Sequence, residues 1–284
     1  RVFSLDAALT LGATAVGSAA AGQLATALLA AGALELAAYR ATLFGAAAIG
    51  ATSFLFLVLT RTDTTWRRTR GSAAALGATR ADAAADRGAA RWVAVLREPA
   101  ALKLAACAAL VSLGAGLFAP YQNLFFVEEL GAAPAVYGWL SAAATLTRLV
   151  ATLAAPGMAR RLGTGRAIGW TQLTSVPLLL LVGFGPGLGV VAPAFLVRGA
   201  LMNMAAPLHV SLRMGVLPAA IHGAGNALIT LSDQVVRTGS TWLGGQAIQH
   251  AGYRPGYAAS AASYIASAVL FLLWFGREKD ATRR

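Results

Sequence analysis

Eight runs of about twenty mostly apolar residues follow one another along the chain, and they restrict its fold more than any other feature. They cover 5–31, 39–60, 100–127, 135–159, 167–185, 188–210, 223–248 and 256–275. A helix rises about 1.5 Å per residue, so a run of this length crosses the ~30 Å hydrocarbon layer of a bilayer. Inside that layer no water is present to satisfy backbone N–H and C=O groups, and a helix satisfies them within one segment. Hydrophobic residues make up 57% of the chain and charged residues 12%, with a mean hydropathy of +0.64. That is more apolar surface than a soluble globule of 284 residues has a core to hide. The expected fold class is an all-α polytopic membrane protein, with the lipid bilayer as its first partner.

The formal net charge of +12 raises the question of nucleic acid. The arginines, however, collect in short clusters between the apolar runs, and no basic face is interleaved with aromatic residues. Membrane topology accounts for them, and nucleic acid is not expected as a partner. The segment 60–99 carries Arg61, Arg67, Arg68, Arg70, Arg80, Arg87, Arg91 and Arg97 against Asp63, Asp82, Asp86 and Glu98. By the positive-inside rule it is cytoplasmic. Beyond it the signs alternate: Glu128 and Glu129 outside, Arg160, Arg161 and Arg166 inside, an uncharged turn at 185–189 outside, Arg213 inside, and Arg277, Lys279, Arg283 and Arg284 inside. Arg254, on the outer side, is the one exception. Both termini are therefore expected in the cytoplasm, with the protein in a bacterial inner membrane.

Three units follow. Residues 1–60 form a pair of helices, 61–98 a basic flexible linker with an amphipathic piece at 91–95, and 99–284 a six-helix bundle with a short cytoplasmic tail. Cys107 stands alone in an apolar run, and His209, His222 and His250 are not at ligand spacing. Neither a disulfide, a metal nor a cofactor is implied.

Several apolar runs contain groups that do not belong in lipid. On a helix, Asn226, Thr230, Asp233, Arg237 and then Ser240 or Thr241 form a single polar stripe, backed by Leu228, Val235, Val236 and Trp242. A charge at the bilayer centre costs roughly 2.5 to 3.5 kcal/mol, so such groups face a protein interior or a water-filled path. Two roles for the stripe stand side by side. It lines a solute pathway, or Asp233 and Arg237, four apart, neutralise each other and lock the bundle. Ser141, Thr145, Arg148 and Thr152 share a face of the fourth run, and Arg198 lies deep in the sixth. Gln122 and Asn123 follow Pro120, which removes a helix hydrogen bond and opens a break where polar side chains turn inward. Gln172 either lines the path or bonds a neighbour. Arg148, Arg198 and Arg237 against Asp233 leave an excess of intramembrane positive charge, to be met by an anionic substrate or by carboxylates elsewhere. A bare Asp233 in a low-dielectric path would exchange protons, which makes the proton a candidate coupling ion. An enzyme would need histidine and carboxylates grouped near one interface, and no such grouping is legible.

Certain motifs carry a resemblance. Residues 121–131 read YQNLFFVEELG, residues 156–166 read PGMARRLGTGR, and 198–207 read RGALMNMAAP, followed by VLP at 216–218 and GNAL at 225–228. The chain resembles helices five to twelve of the major facilitator superfamily. The segment 60–99 is similar to that family's central loop, and the six runs after it to its C-terminal bundle. The 156–166 stretch resembles the second copy of the loop motif G-x-x-x-D-R-x-G-R-R. Pro156 stands at the motif glycine and Arg160 at its aspartate, while Arg161, Gly163 and Arg166 keep its basic and glycine character. His222 occupies the position of the family's usual arginine, and the first run lacks the Gly-Pro pattern of the antiporter motif. The internal echo of Gly17-Ser18 with Gly22-Gln23 in Gly239-Ser240 with Gly245-Gln246 is in keeping with a repeated half.

The resemblance implies a secondary active transporter that moves a small-molecule substrate by alternating access. The polar groups within the runs make Gln122, Asn123, Arg148, Arg198, Asn203, Asn226, Asp233 and Arg237 the expected pathway residues, and the loop motif implies a gating loop of Arg160, Arg161, Gly163 and Arg166. The resemblance also implies twelve helices, of which eight are present here and four would precede Arg1. The alternative is a fragment or remnant of such a transporter that does not transport by itself.

Overall fold

The computed structural model describes residues 2–32, 34–59 and 91–276, and among these it contains helices and no strand. The helices are α1 (Val2–Ala30), α2 (Glu35–Leu59), α3 (Pro99–Phe118), α4 (Pro134–Leu162), α5 (Thr164–Phe184), α6 (Leu188–Met204), α7 (Ala206–Val216), α8 (His222–Ala251) and α9 (Tyr253–Phe275). Six of the eight apolar runs correspond to one helix each, and the run 100–127 is α3 followed by irregular turns. The run 188–210 becomes α6 and α7, broken beside Pro207, which has no N–H to offer the preceding turn. Residues 61–90 of the expected linker and the basic residues Arg277, Lys279, Arg283 and Arg284 lie outside the described residues. Residues 91–97, which include the expected amphipathic piece, are helical, and Val95 is buried.

Helix boundaries follow from local chemistry. Proline opens α3 and α4, where its fixed φ suits the first turn and its missing N–H costs nothing. Gly163 (φ 82°) and Gly252 (φ 74°) close α4 and α8. Both lie in the left-handed region that glycine alone enters freely. After Pro120 the regular helix fails as expected. A 3-10 turn at Ala119–Tyr121 leads through Gln122–Leu124 into a π turn at Phe125–Glu129. Among the described residues, four stretches have the length and apolarity to cross a membrane: Pro99–Glu129, Thr164–Phe184, Leu188–Val216 and Tyr253–Phe275. The equally long α4 and α8 are diluted by the polar side chains that make them interesting.

The helices pack in an arc. Helix α3 lies between α8 and α9, α9 reaches α5, α5 meets α6, and α6 meets α4. Helix α1 docks on the far side of α4, and α2 on α1. Small residues make the closest of these contacts. A Cβ placed on Gly138 would stand 2.7 Å from the Ser18 carbonyl oxygen and 3.0 Å from the Gly22 Cα, so α1 and α4 touch backbone to backbone. A Cβ on Gly244 would stand 2.5 Å from the Leu117 carbonyl oxygen, so α8 and α3 do the same.

The buried side chains fall into two apolar clusters. One contains Leu104, Ile168, Leu212, Ile229, Phe271 and Phe275. The other contains Phe118, Phe126, Leu179, Phe195, Tyr257 and Tyr264. Along each helix the residues that separate the clusters are polar and buried: Ser112 on α3, Thr171, Gln172 and Ser175 on α5, Arg198 on α6, and Ser267 on α9. The bundle thus carries a polar layer across its middle.

Replacing Gly138 by valine is expected to force α1 off α4, at an overpacking cost of about 1–3 kcal/mol. Thermal unfolding of the detergent-solubilised protein should show a lowered midpoint for Gly138→Val. Gly45→Ala, a position with nothing within 4 Å of the added carbon, should leave the midpoint unchanged.

Candidate functional site

The polar layer is held together by serines that donate to carbonyls of a neighbouring helix. On α9, Ser260, Ser263 and Ser267 recur at intervals of three and four residues, which puts them on one face. Their hydroxyls donate to Gly114, Leu110 and Cys107 carbonyls of α3 at 2.8, 2.6 and 3.2 Å. Ser267 also lies 3.3 Å from Gln172 Oε1 on α5. On the other side of α3, Ser112 donates to Asp233 Oδ1 of α8, and Ser240 reaches the Ser112 carbonyl at 3.3 Å. Tyr121, just past the break in α3, donates to the Thr241 carbonyl at 2.7 Å. Each bond satisfies a hydroxyl where water is scarce, and all but the Ser267–Gln172 contact tie α3, or the turn that follows it, to a partner.

Against this layer lies a cavity of about 350 Å³. Its polar lining is Gln172, His209, Arg213, Asp233 and Arg237, and its apolar lining includes Leu104, Val111, Met202 and Phe271. Asp233 and Arg237 do form the expected pair, at 3.8 Å. That is an ion-pair distance, too long for a hydrogen bond. The shorter contact of Asp233 is to Ser112. Neutralisation within one helix turn is therefore incomplete, and both side chains remain turned to the cavity.

The remaining expected residues are placed as follows. Arg198 is 7% exposed, its guanidinium carbon 4.7 Å from the Phe118 ring centre and 5.4 Å from that of Tyr264. Such stacking offsets part of the cost of burying a cation. Arg148 is half-buried and lies beside Gly199 of α6. The Nε atoms of both arginines are buried without a hydrogen-bond partner. Asn203 turns back on its own helix, donating to the Gly199 carbonyl at 2.7 Å.

Asn123 lines a second cavity, of about 420 Å³, with Ser18 of α1, Tyr39 and Thr42 of α2, and Tyr137 and Ser141 of α4. Gln122 is half-buried beside it in sequence, and Asn226 is half-buried near the start of α8, away from both cavities. Thr230 is exposed, so the stripe on α8 divides: Asp233, Arg237 and Ser240 face the interior and Thr230 does not. Leu228, expected on the back of that stripe, packs partly against the first apolar cluster. In the loop expected to gate, Arg160 and Arg161 are exposed in the last turn of α4, where positive charge suits the helix dipole. Gly163 makes the turn, and Arg166 is exposed at the start of α5.

Two participants were not legible as such. Arg213 reads as a cytoplasmic loop charge if the sixth run ends at 210, but α7 continues to Val216 and carries Arg213 along the cavity wall. Ser112 is one small residue in a run of alanines and leucines, and only the packing of α8 shows its role. The serine spacing on α9, by contrast, was a signal open to a sequence reading.

The comparisons with known proteins agree with this architecture. The family model described as Major Facilitator Superfamily matches residues 104–284. Among solved structures, the fold is similar to a bacterial homologue of the iron transporter ferroportin in an inward-facing state, with a TM-score of 0.53 and 16% identity. That match covers 62% of this chain and 45% of the homologue, so the chain spans less than half the length of that protein. At this identity the likeness is one of fold. No curated protein matches the chain.

Removing the Ser263 hydroxyl by Ser263→Ala should cost about 0.6 to 1.7 kcal/mol, the range for side-chain hydrogen bonds between membrane helices. Unfolding in mixed micelles would measure it. The exposed Thr238, whose hydroxyl bonds only its own helix, should tolerate the equivalent Thr238→Val change.

Proposed function

The chain belongs to the Major Facilitator Superfamily, and from that premise we propose that it acts in a secondary active transporter that moves a small organic solute by alternating access. The solute is held at the polar layer, where the middle of an otherwise apolar bundle offers groups that bind polar molecules. The observation that carries this reading is the pair of arginines inside the bundle, Arg148 and Arg198, whose Nε atoms are buried without a partner. Uncompensated donors and positive charge at that depth are costly in a static protein and useful in one that binds a passing anion.

In this reading residues 1–60 are the last two helices of one bundle, 61–98 are the cytoplasmic connection, and 99–284 are the second bundle. The backbone-to-backbone contacts at Gly22 with Gly138 and at Gly244 with Leu117 are surfaces on which helices shift without losing contact. The irregular turns at 119–129 supply a flexible end to α3. Gly163, with Arg160, Arg161 and Arg166, forms the inner gating loop. Asp233 is the group through which a proton would couple to transport.

Uptake by cells or proteoliposomes containing the full chain tests the reading. Arg148→Gln and Arg198→Gln are each expected to abolish transport of an anionic solute, and unchanged uptake in both would remove the anionic assignment. Asp233→Asn is expected to abolish pH-driven accumulation, and accumulation that survives it rules out proton coupling through Asp233. For topology, alkaline phosphatase fused after Gly187 should be active on the outside of the inner membrane, whereas a fusion after Gly163 should be inactive.

A further inference from the structure

The cavity between α7 and α8 has a lining that specifies its ligand more closely than the transport reading requires. Arg213 of α7 and Arg237 of α8 line it, with Asp233 as the one carboxylate among its lining residues and His209 beside them. With His209 neutral, the lining carries one net positive charge. Asp233 does not saturate the two guanidinium groups. It accepts the Ser112 hydroxyl, and it stands 3.8 Å from Arg237. That separation is beyond hydrogen-bonding range. Among the described residues, neither Arg213 nor Arg237 donates a side-chain hydrogen bond. The fork geometry of a guanidinium suits a carboxylate, which it binds by two parallel N–H bonds.

The rest of the wall is apolar. Val111 of α3, Met202 of α6, Val210 of α7 and Phe271 of α9 close around the charged end. A volume of about 350 Å³ is at the small end of the range for ligand pockets. It suits a compact molecule rather than a nucleotide or an oligosaccharide. Gln172 supplies an amide at the inner end, already engaged with Ser267.

We propose that this cavity is a binding site for a small organic monocarboxylate, its carboxylate held by Arg213 and Arg237 and its apolar body packed against Val111, Met202 and Phe271. The inference rests on the transport reading in naming that transporter's substrate class, and it adds Arg213 to the residues that bind the substrate. Asp233, as the local competitor for both arginines, weakens binding and sets a ceiling on affinity, which a carrier needs if it is to release its cargo.

Binding to the purified full chain in nanodiscs separates this inference from transport itself. The probes are benzoate and butyrate, each against its neutral amide, with benzylammonium as the cationic counterpart, titrated by calorimetry. The carboxylates are expected to bind, and the amides and the cation are not. Arg213→Gln and Arg237→Gln should each weaken benzoate binding by about tenfold or more. Asp233→Asn should strengthen it, a direction that a merely misfolded variant does not produce. Equal binding of benzoate and benzamide, no binding of either carboxylate, or benzoate affinity unchanged in both arginine variants would overturn the proposal. Benzoate binding with this pattern in a protein that moves no solute would leave the site standing and remove the transport reading.

Discussion

Burying hydrogen-bonding groups where no water reaches them is the constraint on which the structure depends. Two apolar clusters alone would hold the helices together only by close packing, since lipid tails are as apolar as the interior. Instead a band of hydroxyl, amide, carboxylate and guanidinium groups crosses the middle. Each hydroxyl buried there needs an acceptor: Thr171 and Ser175 find one in a carbonyl of their own helix, whereas Ser263 and Ser267 reach across to carbonyls of α3. The helices must therefore come close, and small residues at the contacts allow it. Ser260, Ser263 and Ser267 on α9 face Gly114, Leu110 and Cys107 on α3, while Gly116 on α3 leaves room for Ser240 on α8. The polar layer and the glycine contacts are two aspects of one arrangement.

Helix α3 is the shared member of that arrangement. It receives the serines of α9 on one side and gives Ser112 to Asp233 of α8 on the other. Beyond Pro120 it loses regular geometry, so its ordered part ends near the layer's outer edge. Through Ser112, Asp233 is thus bonded to the same helix that receives the serines of α9. This is the physical basis for reading the charged residues of α8 as more than a static ion pair. The 3.8 Å separation of Asp233 and Arg237 leaves both with capacity for other partners.

The two buried arginines show a different balance. Arg198 is partly compensated by the faces of Phe118 and Tyr264, which attract a cation. Arg148 lies beside Gly199 and is only half-buried. Neither solution satisfies the Nε atoms, and the cost falls on the bundle unless a ligand meets them. The transport proposed above would give that cost a use, because it needs groups that meet a solute between helices at mid-depth.

The fold class was legible from the eight apolar runs, because the length of a spanning helix and the need to satisfy its backbone leave one solution. The break after Pro120 was legible as well, because proline lacks the N–H the helix requires. Helical period placed Asp233, Arg237 and Ser240 on one inward face of α8, but it also put Thr230 there, which is exposed. Partners across helices did not follow. Nothing in the local sequence says that Ser112 meets Asp233, that Phe118 and Tyr264 flank Arg198, or that Arg213 lies on a cavity wall rather than in a loop. The first of those contacts joins residues 121 positions apart, and period and composition carry no information at that range. Such contacts were decided when the helices packed, by which small residues let which backbones approach.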